Sequence, residues 1–229
     1  MAESDPILAL FESREGFYLR PDHLSTLYKS LDKSTQVTAD QDPVGYIEDL
    51  SGNGHDFAAA NTTERFKYVA ASNSIENDQV DDRLTNSTLT LDGKIWTFVA
   101  GYSTLGTSDI IFLTKVNVNN PWAGVAQDGS TSTDLAGPGV TARRFWFGGT
   151  EAFPTTRGDV FNALTTESVF THEFSVAAGE DFSDITFGKY FPGGFFAPKN
   201  VTFWLLIEGE LTDEERQTIE ASALGTSGS

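Results

Sequence analysis

Four oxygen-bearing side chains crowd into one glycine-punctuated stretch of the sequence. They are Asp49, Ser51, Asn53 and Asp56. Carboxylate, hydroxyl and amide oxygens are hard ligands that Ca²⁺ accepts, so the stretch is a candidate calcium site, although its spacing is not that of an EF-hand loop. The same residue types favour turns by hydrogen bonding to their own backbone, and Gly52 and Gly54 permit the geometry. Both interpretations stay open, and calcium is the only cofactor that the sequence suggests.

Aromatic residues next to predicted loops form a candidate glycan-binding set. A carbohydrate site uses an exposed ring as a stacking platform beside amide or carboxylate acceptors. The candidates are Trp122, Trp146, Tyr190 and Phe191. Trp122 is the first choice, because it follows an Asn-Asn-Pro turn and could lie at a loop tip. Trp146 lies in the run Phe145-Trp146-Phe147, so either Trp146 or its neighbours face away from one side of a sheet.

No arrangement of residues in the sequence predicts catalysis, and we expect the protein not to be an enzyme. Glycan hydrolysis needs two carboxylates a fixed distance apart, and neither Glu173 nor Glu180-Asp181 has a period-2 partner on one strand face. The three histidines are His23, His55 and His172. They lack the spacing of metal ligands and are expected to be structural. Because there is no cysteine, thiol nucleophiles, thiolate metal sites and disulfides are excluded.

A short apolar patch occurs near the N-terminus, within an acidic segment. Its members, at positions i, i+1, i+3 and i+4, are Ile7, Leu8, Leu10 and Phe11. Apolar side chains at this spacing suit one face of a helical turn that binds another protein. We therefore expect residues 1–15 to form an arm that docks or links the domain.

The charge of the chain restricts its partners. With 33 acidic and 15 basic residues, the formal charge is -18. Such a charge repels phosphate backbones and anionic lipid surfaces, so we expect neither nucleic acid nor a membrane as partner. The sequence has neither a secretory leader nor a stretch of apolar residues long enough to span a bilayer, which indicates a soluble chain made in the cytoplasm.

Alternation of apolar and polar residues dominates from about Phe66 onward and predicts an all-β protein. Residues 95–102 are apolar on both faces, which is typical of a central strand. Residues 169–176 alternate cleanly, so one face of this strand should be in contact with water. Further strands are predicted at 109–116, 143–147 and 201–207, separated by turn-forming residues. The length of 229 residues suits one antiparallel β-sandwich.

Helix is predicted in two places only. Residues 21–28 place Leu24, Leu27 and Tyr28 at helical spacing, which suits one or two turns. The stretch Thr212-Asp213-Glu214-Glu215 is a capping box and predicts the start of a short C-terminal helix that Gly225 ends.

Three segments, in matching order, carry a resemblance to a known group of domains. They are GFYLRPDHLSTLY at 16–28, PVGYIEDLSGNGHD at 43–56, and VTFWLLI at 201–207 followed by LTDEE at 211–215. Together they resemble the concanavalin A-like or laminin-G-like β-sandwich domains of tailed-bacteriophage virion proteins and bacterial surface proteins. The resemblance covers essentially the whole chain. It is specific for the fold and less so for the role, because this fold hosts lectins, glycosidases and structural modules alike.

The resemblance implies a concanavalin-like jelly roll over residues 16–224, with a flexible tail at 225–229. It also implies a structural virion protein, such as a head-decoration, head-fibre or tail-associated component. The expected partners are other virion proteins, further copies of the chain in a homo-oligomer, and a host-surface glycan. The expected location is the virion, assembled in the bacterial cytoplasm. The alternatives are a lectin-like carbohydrate-binding module and a glycan hydrolase.

Overall fold

The computed structural model describes residues 5–106, 109–115, 122–180, 182–189 and 197–227. The strands are β1 Gly16–Leu19, β2 Leu27–Tyr28, β3 Pro43–Val44, β4 Tyr46–Ile47, β5 Phe57–Ala58, β6 Phe66–Val69, β7 Ser74–Glu76, β8 Arg83–Asn86, β9 Ile95–Thr104, β10 Asp109–Lys115, β11 Trp122–Gln127, β12 Val140–Phe147, β13 Thr150–Ala152, β14 Val169–Val176, β15 Ile185–Gly188 and β16 Asn200–Glu208. The helices are α1 Arg157–Leu164 and α2 Asp213–Ser227. Short 3₁₀ helices occupy Leu8–Glu12, Leu24–Thr26 and Ala70–Ser72.

The strands form two antiparallel sheets, and the expected all-β sandwich with a C-terminal helix is confirmed. Within the described residues, sheet A has nine strands, in the order β13-β12-β14-β9-β16-β7-β6-β3, with β1 also paired to β16. Sheet B has seven, in the order β11-β10-β15-β8-β5-β4-β2. The stretch 95–102, predicted as a central strand, lies in β9 between β14 and β16.

The main core lies between the two sheets and is rich in aromatic rings. Alternation along each strand sends every second side chain inward. Trp204 of sheet A stacks on Phe187 of sheet B, with ring centroids 3.9 Å apart. Phe170 of sheet A and Phe112 of sheet B are stacked at 4.4 Å. Contacts of this kind along the interface hold the two sheets together.

A second apolar cluster covers the outer face of sheet A, where α2 and the N-terminal arm pack side by side. Its fully packed members are Ile7, Phe11, Tyr18, Val99, Val169, Phe203, Leu205, Ile207, Ile219 and Ala223. Ile7 is 0% exposed and Phe11 4% exposed, so these two residues of the predicted docking patch are buried within their own domain. Leu8 is 38% exposed and Leu10 is half-buried. Residues 7–11 therefore do not form a free docking arm.

The outer layer also corrects the prediction that one face of β14 is in contact with water. Thr171 is buried and donates a hydrogen bond from its hydroxyl to Glu220 of α2 at 2.7 Å. Glu173 is only 1% exposed, because Arg143 and Arg144 cover it. Alternation placed these polar residues on one face correctly, but it could not predict that a helix and two long side chains would cover that face.

The helices differ from the prediction in three ways. Helix α1 was missed, although Thr156 and Asp159 form a capping box at its start. Residues 21–28 form only the 3₁₀ turn Leu24–Thr26 and then strand β2. Helix α2 begins with the expected reciprocal bonds between Thr212 and Glu215, but it continues past Gly225 to Ser227.

One polar residue of the core is unusual. His172 is 0% exposed and stacks on Phe145, with ring centroids 4.3 Å apart and an interplanar angle of 8°. Neither of its ring nitrogens has a hydrogen-bond partner among the described residues. Burial lowers the pKa of His172 to about 3, because an imidazolium would lose its hydration without gaining a counter-charge.

We predict that Phe11→Ala destabilises the domain by about 3–5 kcal/mol, the usual cost of truncating a buried Phe. Leu8→Ala, at a partly exposed neighbour in the same 3₁₀ helix, should change stability by about 0.5 kcal/mol or less. Urea denaturation followed by tryptophan fluorescence measures both. Equal effects of the two substitutions would contradict the packing of the arm described above.

We also predict that His172 makes the domain sensitive to acid. The unfolded chain takes up a proton at His172 as the pH falls below about 6.5, whereas the folded protein does so only near pH 3. This contribution to stability is therefore complete above pH 6.5 and is lost progressively between pH 6.5 and 3. At pH 5 the loss is about 2 kcal/mol, from 1.36 kcal/mol per pH unit.

His172→Phe should remove that part of the pH dependence, which urea midpoints measured between pH 7 and pH 4 can detect. His23→Gln, at an exposed histidine, is the matched control and should retain the wild-type slope. An unchanged slope in His172→Phe would show that His172 is not buried in its neutral form.

Candidate functional site

In the predicted calcium turn, residues 49–56, the side chain of Asp49 binds backbone N–H groups of the turn and of β1. We call this set of hydrogen bonds the staple. The Oδ1 atom of Asp49 accepts hydrogen bonds from the backbone N–H groups of Tyr18 and Ser51, each at 2.9 Å. The Oδ2 atom accepts from the Ser51 hydroxyl at 2.6 Å and from the His55 backbone N–H at 2.9 Å. One carboxylate thus receives four donors, closes the turn and attaches it to β1.

The other members of the predicted set extend the same attachment. The Nδ2 atom of Asn53 donates to the backbone carbonyls of Arg14 and Gly16, at 3.2 and 3.0 Å. Gly16 fits because its φ is +139°, and a Cβ there would lie 2.0 Å from the carbonyl oxygen of Leu206 in β16. Gly52 and Gly54 also have positive φ values, of 89° and 78°, which the turn requires.

Asp56 is likewise occupied by protein donors. Its Oδ1 accepts the backbone N–H of Asp49 at 2.8 Å, and its Oδ2 accepts from the Lys33 ammonium at 2.8 Å and from the Tyr46 hydroxyl. The ammonium and hydroxyl donors hold the pKa of Asp56 below its ordinary value, against the opposing effect of burial. The four predicted ligands therefore share one turn, but the oxygens of Asp49 and Asp56 point at N–H and O–H groups. These distances support the turn interpretation over the calcium interpretation.

A polar cleft of about 430 Å³ opens beside this turn. It is lined by Phe11, Glu12, Ser13, Arg14, Glu15, Asn53, Lys94 and Glu208. Two ion pairs fix its walls: Lys94 contacts Glu208 at 2.6 Å, and Arg14 contacts Glu215 at 2.9 Å. The cleft brings together residues from the N-terminal arm, the 49–56 turn and the ends of two central strands. We call it the arm cleft.

His55 connects the arm cleft to the segment after β8. Its Nε2 lies 3.1 Å from Oε2 of Glu15, and its Nδ1 lies 2.8 Å from Oγ1 of Thr88. No pattern in the sequence predicts this arrangement, because Glu15, His55 and Thr88 are far apart in the chain. The attachment of the 49–56 turn to β1 brings His55 close to Glu15, and the hydrogen bond from Nδ2 of Asn86 to the backbone carbonyl of Asp56, at 2.8 Å, brings the segment after β8 to His55.

The predicted glycan platform is only partly described. Trp146 is 5% exposed, and the guanidinium groups of Arg144 and Arg216 each lie 5.0 Å from its ring centroid. The ring is therefore buried and in contact with two cations, which leaves it poorly placed to stack on a sugar. Trp122 belongs to β11, but its side chain lies outside the described part of the structure, as do Tyr190 and Phe191 altogether.

Of the carboxylates that came closest to a catalytic pair, Glu173 and Glu180 belong to the described residues. Glu173 is clamped by Arg143 Nε at 3.0 Å and by Arg144 Nη2 at 2.5 Å, and its hydrogen bonds raise the pKa of Arg144. Glu180 is half-buried, and its neighbour Asp181 lies outside the described residues. Glu173 thus has a structural partner on each side and no free oxygen aimed at a cleft.

A second cleft contains a perturbed acid that the sequence analysis missed. It has a volume of about 300 Å³ and is lined by Gln41, Pro43, Thr62, Thr63, Arg65, Lys67, Asp78 and Asp82. Burial, reinforced by the neighbouring carboxylates of Asp78 and Asp81, raises the pKa of Asp82 to about 7, although the backbone N–H of Asp78 opposes the rise. The sequence contains one indication of this cleft, the acidic run Asp78-x-x-Asp81-Asp82. Acidic turns are common, however, and the burial of Asp82 depends on tertiary packing.

We compared the chain with known proteins by sequence and by structure. No protein-family model, no curated protein and no solved structure matches this chain. Within the described residues, neither helix combines the length and the apolar character that crossing a bilayer demands.

We predict that Asp49→Asn lowers the free energy of unfolding by about 2–3 kcal/mol, because the new NH₂ group cannot accept and at least one buried donor loses its charged partner. Asp134→Asn, at an exposed aspartate, is the control and should have an effect of about 0.5 kcal/mol or less. Urea denaturation measures both variants.

The same experiment separates the staple from a calcium site. The unfolding midpoint of the wild-type protein should be the same in millimolar calcium as in a chelator. A ligand that binds the folded state would raise the midpoint. A calcium-dependent midpoint that Asp49→Asn abolishes would overturn the staple interpretation.

Proposed function

We propose that this chain is a non-catalytic structural component of a tailed-bacteriophage virion, assembled in the bacterial cytoplasm. The resemblance of the three sequence segments motivates the proposal. In the fold, those segments meet: residues 16–28 supply β1, residues 43–56 supply the staple that holds β1, and residues 201–215 supply β16 and the start of α2. The motifs that carry the resemblance therefore meet in sheet A and its outer layer, and a structural role for them fits a module that serves as a scaffold.

One exposed residue supports a role in assembly. Phe153 follows β13 directly and is 81% exposed, the highest value among the exposed large apolar side chains of the described residues. Strand β13 lies at the edge of sheet A and pairs only with β12 among the described strands. An open strand edge beside an exposed aromatic ring is typical of a protein contact surface, because both the backbone groups and the ring gain by being covered.

The partner that we propose is a neighbouring virion protein that seats Phe153. A formal charge of -18 on each chain opposes close packing of identical copies and favours a less acidic neighbour. The arm patch at residues 7–11 was the earlier candidate for this contact. Because Ile7 and Phe11 are buried in the domain, the β13 edge with Phe153 takes its place.

The alternatives have weaker support from the described residues. A carbohydrate-binding module would need an open ring, and Trp146 is 5% exposed with two arginines over its ring. A glycan hydrolase would need a pair of available carboxylates, and Glu173 is held in ion pairs. Both alternatives stay predictions from the sequence resemblance, and we propose the structural role.

We predict that Phe153→Ser weakens incorporation into virus particles by about 10- to 30-fold, as expected for loss of an aromatic anchor worth about 1.4–2 kcal/mol. Its thermal stability should not change, since the side chain is exposed. Val80→Ser, at a residue 61% exposed in the 77–82 turn, is the matched control and should incorporate normally.

Co-sedimentation with particles that lack the protein measures incorporation, and light scattering of the purified chain reports self-association. Full incorporation of Phe153→Ser would contradict the proposed contact. If Phe153→Ser instead dissolved an oligomer of the purified chain, the partner would be a second copy and not a different virion protein.

A further inference from the structure

Three side chains from distant parts of the chain form a hydroxyl–imidazole–carboxylate relay. The Oγ1 atom of Thr88 lies 2.8 Å from Nδ1 of His55, and Nε2 of His55 lies 3.1 Å from Oε2 of Glu15. Both distances are within the normal range of hydrogen bonds. A hydroxyl, an imidazole and a carboxylate in this order are the parts of an activated nucleophile, which is recognised by geometry and not by sequence position.

The neighbouring hydrogen bonds define where the protons lie. Oδ1 of Asn86 accepts the backbone N–H groups of Thr88 and Leu89, at 3.1 and 2.8 Å, which fixes the orientation of its amide. Nδ2 of Asn86 then donates to Oγ1 of Thr88 at 3.1 Å. The Thr88 hydroxyl accepts this bond and donates its own hydrogen bond to Nδ1 of His55 at 2.8 Å, since Oδ1 of Asn86 is 3.4 Å away and already accepts two N–H groups.

The carboxylate fixes the other end of the imidazole. Glu15 can only accept when ionised, so Nε2 of His55 carries the ring proton and Nδ1 keeps its lone pair for the Thr88 hydroxyl. This tautomer is the one that a general base needs. The carboxylate would also stabilise the imidazolium that forms when His55 takes up the Thr88 proton.

The two ends of the relay are exposed and its central histidine is buried. Thr88 is exposed and the side chain of Glu15 is 55% exposed, whereas His55 between them is only 8% exposed. Thr88 therefore lies at the surface, where a reagent can approach it, while its hydroxyl is directed at the shielded base, His55. Ser87, the preceding residue, is also exposed but has no histidine partner among the described residues, so it is an internal reference.

We propose that Thr88 is a nucleophile that accepts acyl groups from activated esters, with His55 as general base and Glu15 as the group that orients His55. Oγ1 of Thr88 forms a bond to the ester carbonyl carbon while its proton moves to Nδ1 of His55. The ester C–O bond then breaks, and the leaving group takes with it the electron pair and the proton from the imidazolium. The products are an acylated Thr88 and a free alcohol, and no oxidant or metal is needed.

The test uses p-nitrophenyl acetate with the full-length chain, followed by rapid quenching, proteolysis and mass spectrometry of the peptide that contains Ser87 and Thr88. We expect acetylation of Thr88 to be ~100-fold faster than that of Ser87, the lower end of what a positioned general base supplies. Thr88→Ser should be acetylated at least as fast as the wild type, because its hydroxyl is less hindered. Thr88→Val should lose the label at this position.

Two further variants separate an activated hydroxyl from a merely reachable one. His55→Gln should slow acetylation of Thr88 by ~100-fold, and Glu15→Gln, at a half-exposed side chain, by ~10-fold. Thermal midpoints show which variants remain folded, and Glu15→Gln decides the question if His55→Gln does not fold. Acetylation of Thr88 no faster than that of Ser87, or at a rate unchanged in Glu15→Gln, would overturn the proposal and leave the relay a purely structural link. Neither result bears on the virion role, which depends on Phe153.

Discussion

The carboxylate of Asp49 is the interaction on which the organisation of this end of the molecule depends. It receives hydrogen bonds from two residues of its own turn, Ser51 and His55, and from the backbone of Tyr18 in β1. Strand β1 pairs with β16 on its other side, so the turn fills the edge that β1 would otherwise expose. A neutral side chain could not serve as many donors with the same strength. Through this one group, the N-terminal segment becomes part of sheet A.

The attachment of β1 has consequences for the whole outer layer. Once β1 is in place, the arm before it runs across the outer face of sheet A, and Ile7 and Phe11 pack there beside Ile219 and Ala223 of α2. Farther along the same face, Arg144, Trp146 and Arg216 form a cation–aromatic stack. Sheet A is thus covered on both sides, by sheet B and by this layer. The domain extends from the arm through α2, and neither terminal segment of the described chain is a separate unit.

This arrangement also explains where function can reside. Most of the unusual polar residues are committed to structure: Glu173 to its arginines, and Asp56 to Lys33. The features left over lie at the margins, namely the exposed ring of Phe153 next to β13, the edge strand of sheet A among the described strands, and the relay that ends at Thr88. They suit two different events, contact with a protein neighbour and reaction with a small molecule. A rigid scaffold that presents its reactive groups on edges and turns is the general pattern for sandwiches.

Local sequence pattern was enough to predict the fold class and the five longest strands, which are β9, β10, β12, β14 and β16. Alternation in 95–102 and 201–207 predicted β9 and β16, because a side chain's face depends only on its position along a strand. The capping box at Thr212 fixed the start of α2 for the same local reason. The charge and the lack of cysteine are likewise properties of composition that no packing can alter.

The tertiary structure alone decided which faces are covered and which distant residues meet. Local pattern could not predict that α2 would cover Thr171, that the arm would bury Phe11, or that the oxygens of Asp49 would face backbone N–H groups and not a cation. Nor could it bring Glu15 and Thr88 to the two nitrogens of His55. Each of these outcomes depends on contacts between residues far apart in the chain, and a pattern read over a few neighbouring positions contains no information about such contacts.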